Sequence, residues 1–223
     1  MGANAVSLKP ASLHPVRLHV VPSLDDRNRL TTAFRFLLAI PHLVLVGGPV
    51  VLAFVWSSRS DADGRLDWGT GGVLGVVAAI CAIIAWFAIV FTGTAPEGLA
   101  QLERFYLRWR VRATAYMALL RDEYPPFGDA PYPAEVELPS VLEPRDRVGV
   151  AFRPILVLPH IIIVWALGLA WGLATIVAWF AILFTGRYPR PLYDFALGVF
   201  RWTTRVEAYL LLLTDVYPPF TLD

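Results

Sequence analysis

Three stretches of this chain carry no Asp, Glu, Lys or Arg: residues 36–58, 68–96 and 154–186. A helix of a soluble core would show a polar stripe within so many residues. Roughly 20 apolar helical residues suffice to cross the hydrocarbon core of a membrane. The first two stretches predict spans over about 33–56 and 70–92. The third, 33 residues long, would make a straight helix of roughly 50 Å against a core of about 30 Å. It therefore predicts two crossings, about 148–167 and 170–186, with a turn at Gly168 to Gly172. One tilted crossing is the alternative.

Each span pair is followed by an amphipathic segment, about 98–120 and 191–213. In the second, helical spacing puts Asp194, Gly198, Arg201, Arg205 and Ala208 on one face. Phe195, Val199, Trp202, Val206 and Tyr209 fall on another. The first carries Arg104, Arg108 and Arg112 at i, i+4 and i+8. Such helices lie in the membrane interface, which makes Trp109, Tyr116, Trp202 and Tyr209 the expected interface anchors. Both end in Asp-x-Tyr-Pro-Pro-Phe, where the proline pair must stop a helix. Alternating residues near His14–Val20 and Tyr132–Leu138 read as two short strands that could pair at the membrane surface, with Arg17 and Glu135 at matching positions. Two extended linkers are the other reading, since isolated strand pairs are marginal.

The pattern repeats. Ala85–Gly93 recurs as Ala178–Gly186, and Arg108-Trp109, Arg112, Ala115-Tyr116, Asp122 and Tyr124–Phe127 recur at a constant offset of 93. Further upstream the offset is 118: Arg27, Arg29, Phe34-Arg35 and Pro41-His42 match Arg145, Arg147, Phe152-Arg153 and Pro159-His160. The first unit therefore holds 25 residues that the second lacks. Residues 14–127 form one unit and 132–220 the other, after a flexible tail at 1–13. The expected fold is an all-α integral membrane protein, a tandem duplicated module of about four transmembrane helices, two interfacial helices and a short β-pair.

Composition agrees: 57% of the 223 residues are hydrophobic and 17% charged, where soluble domains run nearer half and a quarter. Arginines cluster before the first span, in the middle of the chain and at its end, while Arg59 and Arg65 alone sit in the first loop beside three Asp. The positive-inside rule then places both termini in the cytoplasm of a multi-pass cell-membrane protein. Met1–Leu30 has proline and charge where a signal peptide has its apolar region, so no cleavable signal is expected. Cys81 is the single cysteine, which excludes an intrachain disulfide.

Trp-Phe-Ala-Ile-x-Phe-Thr-Gly, Arg-Trp-x-x-Arg, Ala-Tyr and Tyr-Pro-Pro-Phe, with Pro-His upstream, closely resemble a bacterial membrane family common in actinobacteria and catalogued as domain of unknown function 4389. The second copy, with Phe184–Arg190 and Leu212–Phe220, is the more typical. The first departs, with Thr94-Ala95-Pro96-Glu97 where Arg187-Tyr188-Pro189-Arg190 stands later. The resemblance implies a membrane protein and supplies no activity and no catalytic residues.

Candidate chemistry is sparse. His42 and His160 each follow a proline in or beside a span, and intramembrane polar rings invite a functional reading such as metal binding or proton relay. Bonding to carbonyls freed by the proline is the structural alternative. Arg108, Arg112, Arg201 and Arg205 could hold anionic lipid headgroups or form salt bridges, Arg201 with Asp194 for one. Asp122 and Asp215 read as turn residues. No nucleophile elbow, phosphate loop or metal cluster appears, so neither catalysis nor a cofactor nor a nucleic-acid partner is expected. The leading expectation is a non-enzymatic accessory, scaffold or lipid-contacting membrane component. Its partners would be anionic lipids and another membrane protein or a second copy. A small transporter or channel between the units is the runner-up.

Overall fold

The computed structural model describes residues 14–48, 72–140 and 145–223. The fold is mostly helical: β1 Arg17–Val20, α1 Arg29–Ala33, α2 Arg35–Val46, α3 Gly72–Thr92, α4 Glu97–Met117, β2 Ala134–Glu137, α5 Arg147–Leu156, α6 Leu158–Thr185 and α7 Arg190–Leu210. The N-terminal tail and the polar first loop lie outside the described residues, as does the last third of the span expected at 33–56.

The turn expected at Gly168 to Gly172 is absent, because α6 is one continuous helix of 28 residues. Gly168 sits instead on its buried stripe with His160, Val164, Trp171, Ala174, Ala178 and Ile182. The first unit builds the same helix in two pieces. The offset of 118 carries Val46 onto Val164, and the offset of 93 carries Gly72 onto Trp165, its immediate neighbour. The additional segment is thus 47–71, and Gly72, which follows it, lies against Gly47 and Leu45. Gly72 has φ +64, and a Cβ there would lie 2.5 Å from the Gly47 nitrogen and 2.7 Å from the Leu45 carbonyl oxygen. So α2 abuts α3 end to end as the counterpart of α6. The described helices hold two candidate spans, Gly72–Thr92 and Leu158–Thr185, long and apolar enough to cross a membrane; the four expected are not found among the described residues.

α4 runs back along α2 and α3, and α7 along α6, each at the cost of a short connection. Gly186 closes α6 in the left-handed conformation, φ 73, its N–H donating to the Ile182 carbonyl. Gly186→Ala is expected to lower stability by about 1 kcal/mol, the usual cost of a Cβ in that region, read as a shift in thermal midpoint.

The units interlock. The α5 helix of the second unit packs on α3 of the first, where the Trp86 indole donates to the Val150 carbonyl at 2.8 Å. Its repeat equivalent Trp179 donates to Thr32 of α1 at 2.9 Å. The Arg27 N–H donates to the Gly186 carbonyl at 3.0 Å, and the Arg145 N–H to the Gly93 carbonyl at 3.2 Å. The strands do pair, antiparallel, with Arg17 opposite Glu137, Leu18 opposite Val136 and His19 opposite Glu135. Leu18 and Val136 are repeat equivalents that face each other, so a local two-fold axis passes between them.

The result is layered. On α4, Arg104, Arg108 and Arg112 face the strand side: Arg104 donates to the Pro139 carbonyl and Arg112 reaches toward Glu135. Tyr106, Trp109 and Tyr116 lie roughly 110° around the helix from them and meet Gly75, His42 and Arg35 of the long helix. The strand pair thus forms one layer, α4 and α7 the middle, and α2, α3 and α6 the layer opposite. α4 and α7 carry most of the core and are buried along much of their length. On α3 the buried positions are Ala78, Cys81, Ala85 and Ile89, one stripe. Around it Val73, Val77, Ile80, Ile83, Ile84, Phe87 and Phe91 are exposed.

Candidate functional site

The polar groups that repeat converge where each unit's middle helix ends. Both α4 and α7 finish with a leucine in the left-handed region, Leu119 at φ 62 and Leu212 at φ 59, which for a side-chain-bearing residue costs about 1–2 kcal/mol. Arginines from the start of the same unit hold these turns. Arg27 donates to the Leu119 carbonyl at 2.7 Å and forks onto Asp122 at 2.8 and 2.7 Å. Arg35 donates to the Arg121 carbonyl at 2.6 Å and to Asp122 at 2.5 Å, its guanidinium 4.1 Å from the centre of the Tyr116 ring. The second unit repeats this with Arg145 on the Leu212 carbonyl and Asp215, and Arg153 on the Tyr209 and Thr214 carbonyls and Asp215. Arg153 lies 4.2 Å over the Tyr209 ring. Asp122 and Asp215 are therefore more than turn residues: each is the shared counterion of two buried guanidiniums. Burial alone would raise the Asp122 pKa, but the bonds and charges of Arg27, the Asn28 N–H and Arg35 outweigh it and hold the group at about 2.

His42 and His160 each sit in a box of their own unit's rings. The Trp109 indole donates to His42 Nδ1 at 3.1 Å and Phe127 stacks at 4.6 Å. The Trp202 indole donates to His160 Nδ1 at 3.2 Å and Phe220 stacks at 4.2 Å. An indole N–H can only donate, so Nδ1 accepts and each imidazole is neutral with its proton on Nε2. Neither Nε2 has a hydrogen-bond partner among the described residues. Each Nδ1 is thus taken by a tryptophan and not by a carbonyl freed at Pro41 or Pro159. The two rings share no common site, and no group of three or more His, Cys, Asp or Glu suited to a metal occurs among the described residues.

The expected interface anchors are placed otherwise. Trp109, Tyr116, Trp202 and Tyr209 are all buried in the protein, engaged by histidine or arginine, and reach no surface. The four candidate headgroup arginines divide. Arg112 is buried, donating to the Gly128 carbonyl at 2.6 Å and to Asp129 at 3.1 Å, which removes it as a headgroup ligand. Arg108 is half-exposed and meets Asp129 at 3.4 Å. Arg201 and Arg205 are partly exposed and form no hydrogen bond or ion pair among the described residues. Asp194 pairs with Arg190 at 3.4 Å and not with Arg201. The repeat explains the asymmetry: the positions equivalent to Asp129 and Glu135, which face Arg112, are Leu222 and Arg17. Asp223 and Arg201 supply the charges felt by Arg205, whose pKa burial lowers.

Arg27, Arg35, Arg145 and Arg153 are the site residues that sequence reasoning passed over. Their signal was present, four arginines at one offset and two aspartates at the other, but it read as flanking charge. Between the units, Arg110 pairs with Glu207 at 2.8 Å. The cleft beside them, lined by Trp171 and Phe200 among others, has about 10 Å³ of free space, barely room for a water.

These features define an internally duplicated, mostly helical fold with a two-stranded sheet, two long apolar helices and an Arg–Asp–Arg cluster closing each unit. Residues 68–128 and 147–221 both match the family described as domain of unknown function DUF4389, more than half of the chain together, and the chain belongs to that family as two tandem copies. No curated protein and no solved structure matches it.

Proposed function

We propose that the chain is a non-enzymatic membrane component that acts as a lipid-contacting scaffold, with Arg201 and Arg205 holding anionic headgroups. One observation carries the membrane assignment. The two candidate spans have only 22% and 28% of their most apolar windows buried in the protein. A soluble core helix of that composition would be covered, and a surface helix would turn a charged face outward. Here the uncovered face is aliphatic and aromatic from end to end, and lipid is the solvent it fits. The headgroup role falls to Arg201 and Arg205 because their guanidiniums are uncommitted, and a guanidinium fork matches phosphate. A membrane-protein partner or a second copy is the complement that a scaffold requires.

Co-flotation with liposomes containing anionic lipid tests this. Arg201→Glu with Arg205→Glu is expected to cut retention of anionic lipid on the purified protein at least several-fold while leaving its level and its association with neutral liposomes intact. Unchanged anionic-lipid retention would remove the headgroup role, and loss of flotation from the unaltered protein would remove the membrane assignment. A transporter path has less support, because the cleft beside Arg110 and Glu207 holds only about 10 Å³ of free space and each histidine is boxed within its own half.

A further inference from the structure

We infer that the chain lies along one face of the bilayer, with its internal two-fold axis along the membrane normal and α3 and α6 immersed lengthwise in a single leaflet. This rests on the membrane assignment above and goes beyond it, since helices of this length would ordinarily be taken to cross.

The layers decide the orientation. The exposed apolar side chains of α2, α3, α5 and α6 include Leu37, Val77, Ile84, Phe152, Ile162 and Phe180. The strand layer lies on the other side of α4 and α7. It carries Arg17, His19, Glu135 and Glu137, all exposed, with His19 and Glu137 only 3.4 Å apart and each about three-fifths exposed. The strand pair straddles the two-fold axis and covers the middle of α4, from Arg104 to Arg112, not one of its ends. If α3 and α6 crossed the bilayer, α4 and α7 beside them would cross too, and the charged strand layer would stand at mid-depth in hydrocarbon. Each charge there costs about 2.5–3.5 kcal/mol on the most lenient scale. Rotating the molecule so that the axis stands upright removes every one of those penalties and buries the apolar layer in lipid.

The charges around that layer fit the same placement. Arg187 and Arg190, each with 75% of the side chain exposed, stand where α6 ends. Arg29 and Arg147 are exposed at the starts of α1 and α5. All lie at the rim of the apolar layer, where phosphate would be met. Packed helices are about 8–10 Å apart, and an interfacial helix sinks about 5–10 Å below the headgroups. That sets α4 and α7 at the phosphate level, with Arg201 and Arg205 on the strand-facing side of α7 as Arg108 and Arg112 are on α4, and the strands in water.

The test is a depth profile by spin labelling of the full chain in liposomes that contain anionic lipid, in a Cys81→Ala background. Single cysteines replace Val73, Val77, Ile80, Ile84, Phe87 and Phe91 along α3, and Leu173, Ile176, Phe180 and Phe184 along α6. All are exposed in the fold, so the labels displace no packing, which circular dichroism checks. Collision with oxygen against a water-soluble nickel chelate reports depth. The expected result is one depth along each helix, constant within about 5 Å, one helix radius with side chains. A profile deepest at the centre and shallower at both ends by about 10 Å is what a crossing of a 30 Å core produces. It would overturn the in-plane orientation and leave the membrane assignment standing. Labels open to the nickel chelate throughout, with no oxygen gradient, would overturn both.

Discussion

Asp122→Ala is expected to cost about 3–5 kcal/mol, the usual consequence of leaving a buried charge without its partner. The aspartate is the shared counterion of Arg27 and Arg35, whose side chains are 0% and 1% exposed. Its loss leaves two desolvated guanidiniums facing each other and frees the left-handed turn at Leu119. Asp215→Ala should behave alike, with Arg145 and Arg153. Asp194→Ala, which breaks only the exposed pair with Arg190, should change stability by no more than about 0.5 kcal/mol. Thermal unfolding in mild detergent, followed by tryptophan fluorescence, separates the cases. Equal small losses at all three positions would show that the clusters do not hold the units closed. The acid limb follows from the same geometry. A carboxylate held at about 2 against an ordinary 3.8 contributes stability that is present above pH 3.8 and lost as pH falls toward 2.

Glu103→Gln is expected to stabilise the protein, and more so as pH rises. Glu103 is 1% exposed in the middle of α4, and its Oε1 has no hydrogen-bond partner among the described residues. Burial pushes its carboxyl from 4.5 up to about 8, against the opposing pull of Arg145 and Arg104. The sign is the reverse of that for Asp122. Below pH 4.5 the group is protonated folded or unfolded and exacts no penalty. Between 4.5 and 8 the unfolded chain releases a proton that the folded chain keeps, so stability falls with rising pH and levels off above 8. The full difference corresponds to about 3–5 kcal/mol. Thermal midpoints of both proteins at pH 5 and pH 8.5 measure it; a gain that did not grow with pH would show Glu103 to be ionised and compensated.

The duplication, the positions of the apolar helices and the strand pair were legible in the chain because each leaves a periodic trace. The continuity of α6 was not. A charge-free run of 33 residues is compatible with one long helix or two short ones, and a glycine such as Gly168 marks a turn or a close approach equally well. The contact partners of Trp109 and Trp202 were equally hidden, since an aromatic on an amphipathic face fits a lipid boundary or a protein interior alike. Arg112 and Arg205 occupy equivalent positions with the same side chain and differ only in what a remote segment presents to them. For the same reason, the Asp129 and Glu135 that hold one of them carry no mark in the local sequence.

The exchange of short helices between the halves, α5 against α3 and α1 against α6, has an evolutionary consequence. A chain with one unit would leave Trp86 or Trp179 without its carbonyl and one long helix without its neighbour, so it would need a second molecule to be complete. Fusing two copies replaces that concentration-dependent encounter with an intramolecular one at high effective concentration. It also frees the halves to diverge. A symmetric dimer must accept every substitution twice, whereas a fused pair can put Leu222 opposite the precedent of Asp129 and insert a segment in one half alone. The inequality between the arginines of α4 and α7 is therefore a possibility that duplication opened and that no single-unit ancestor could have used.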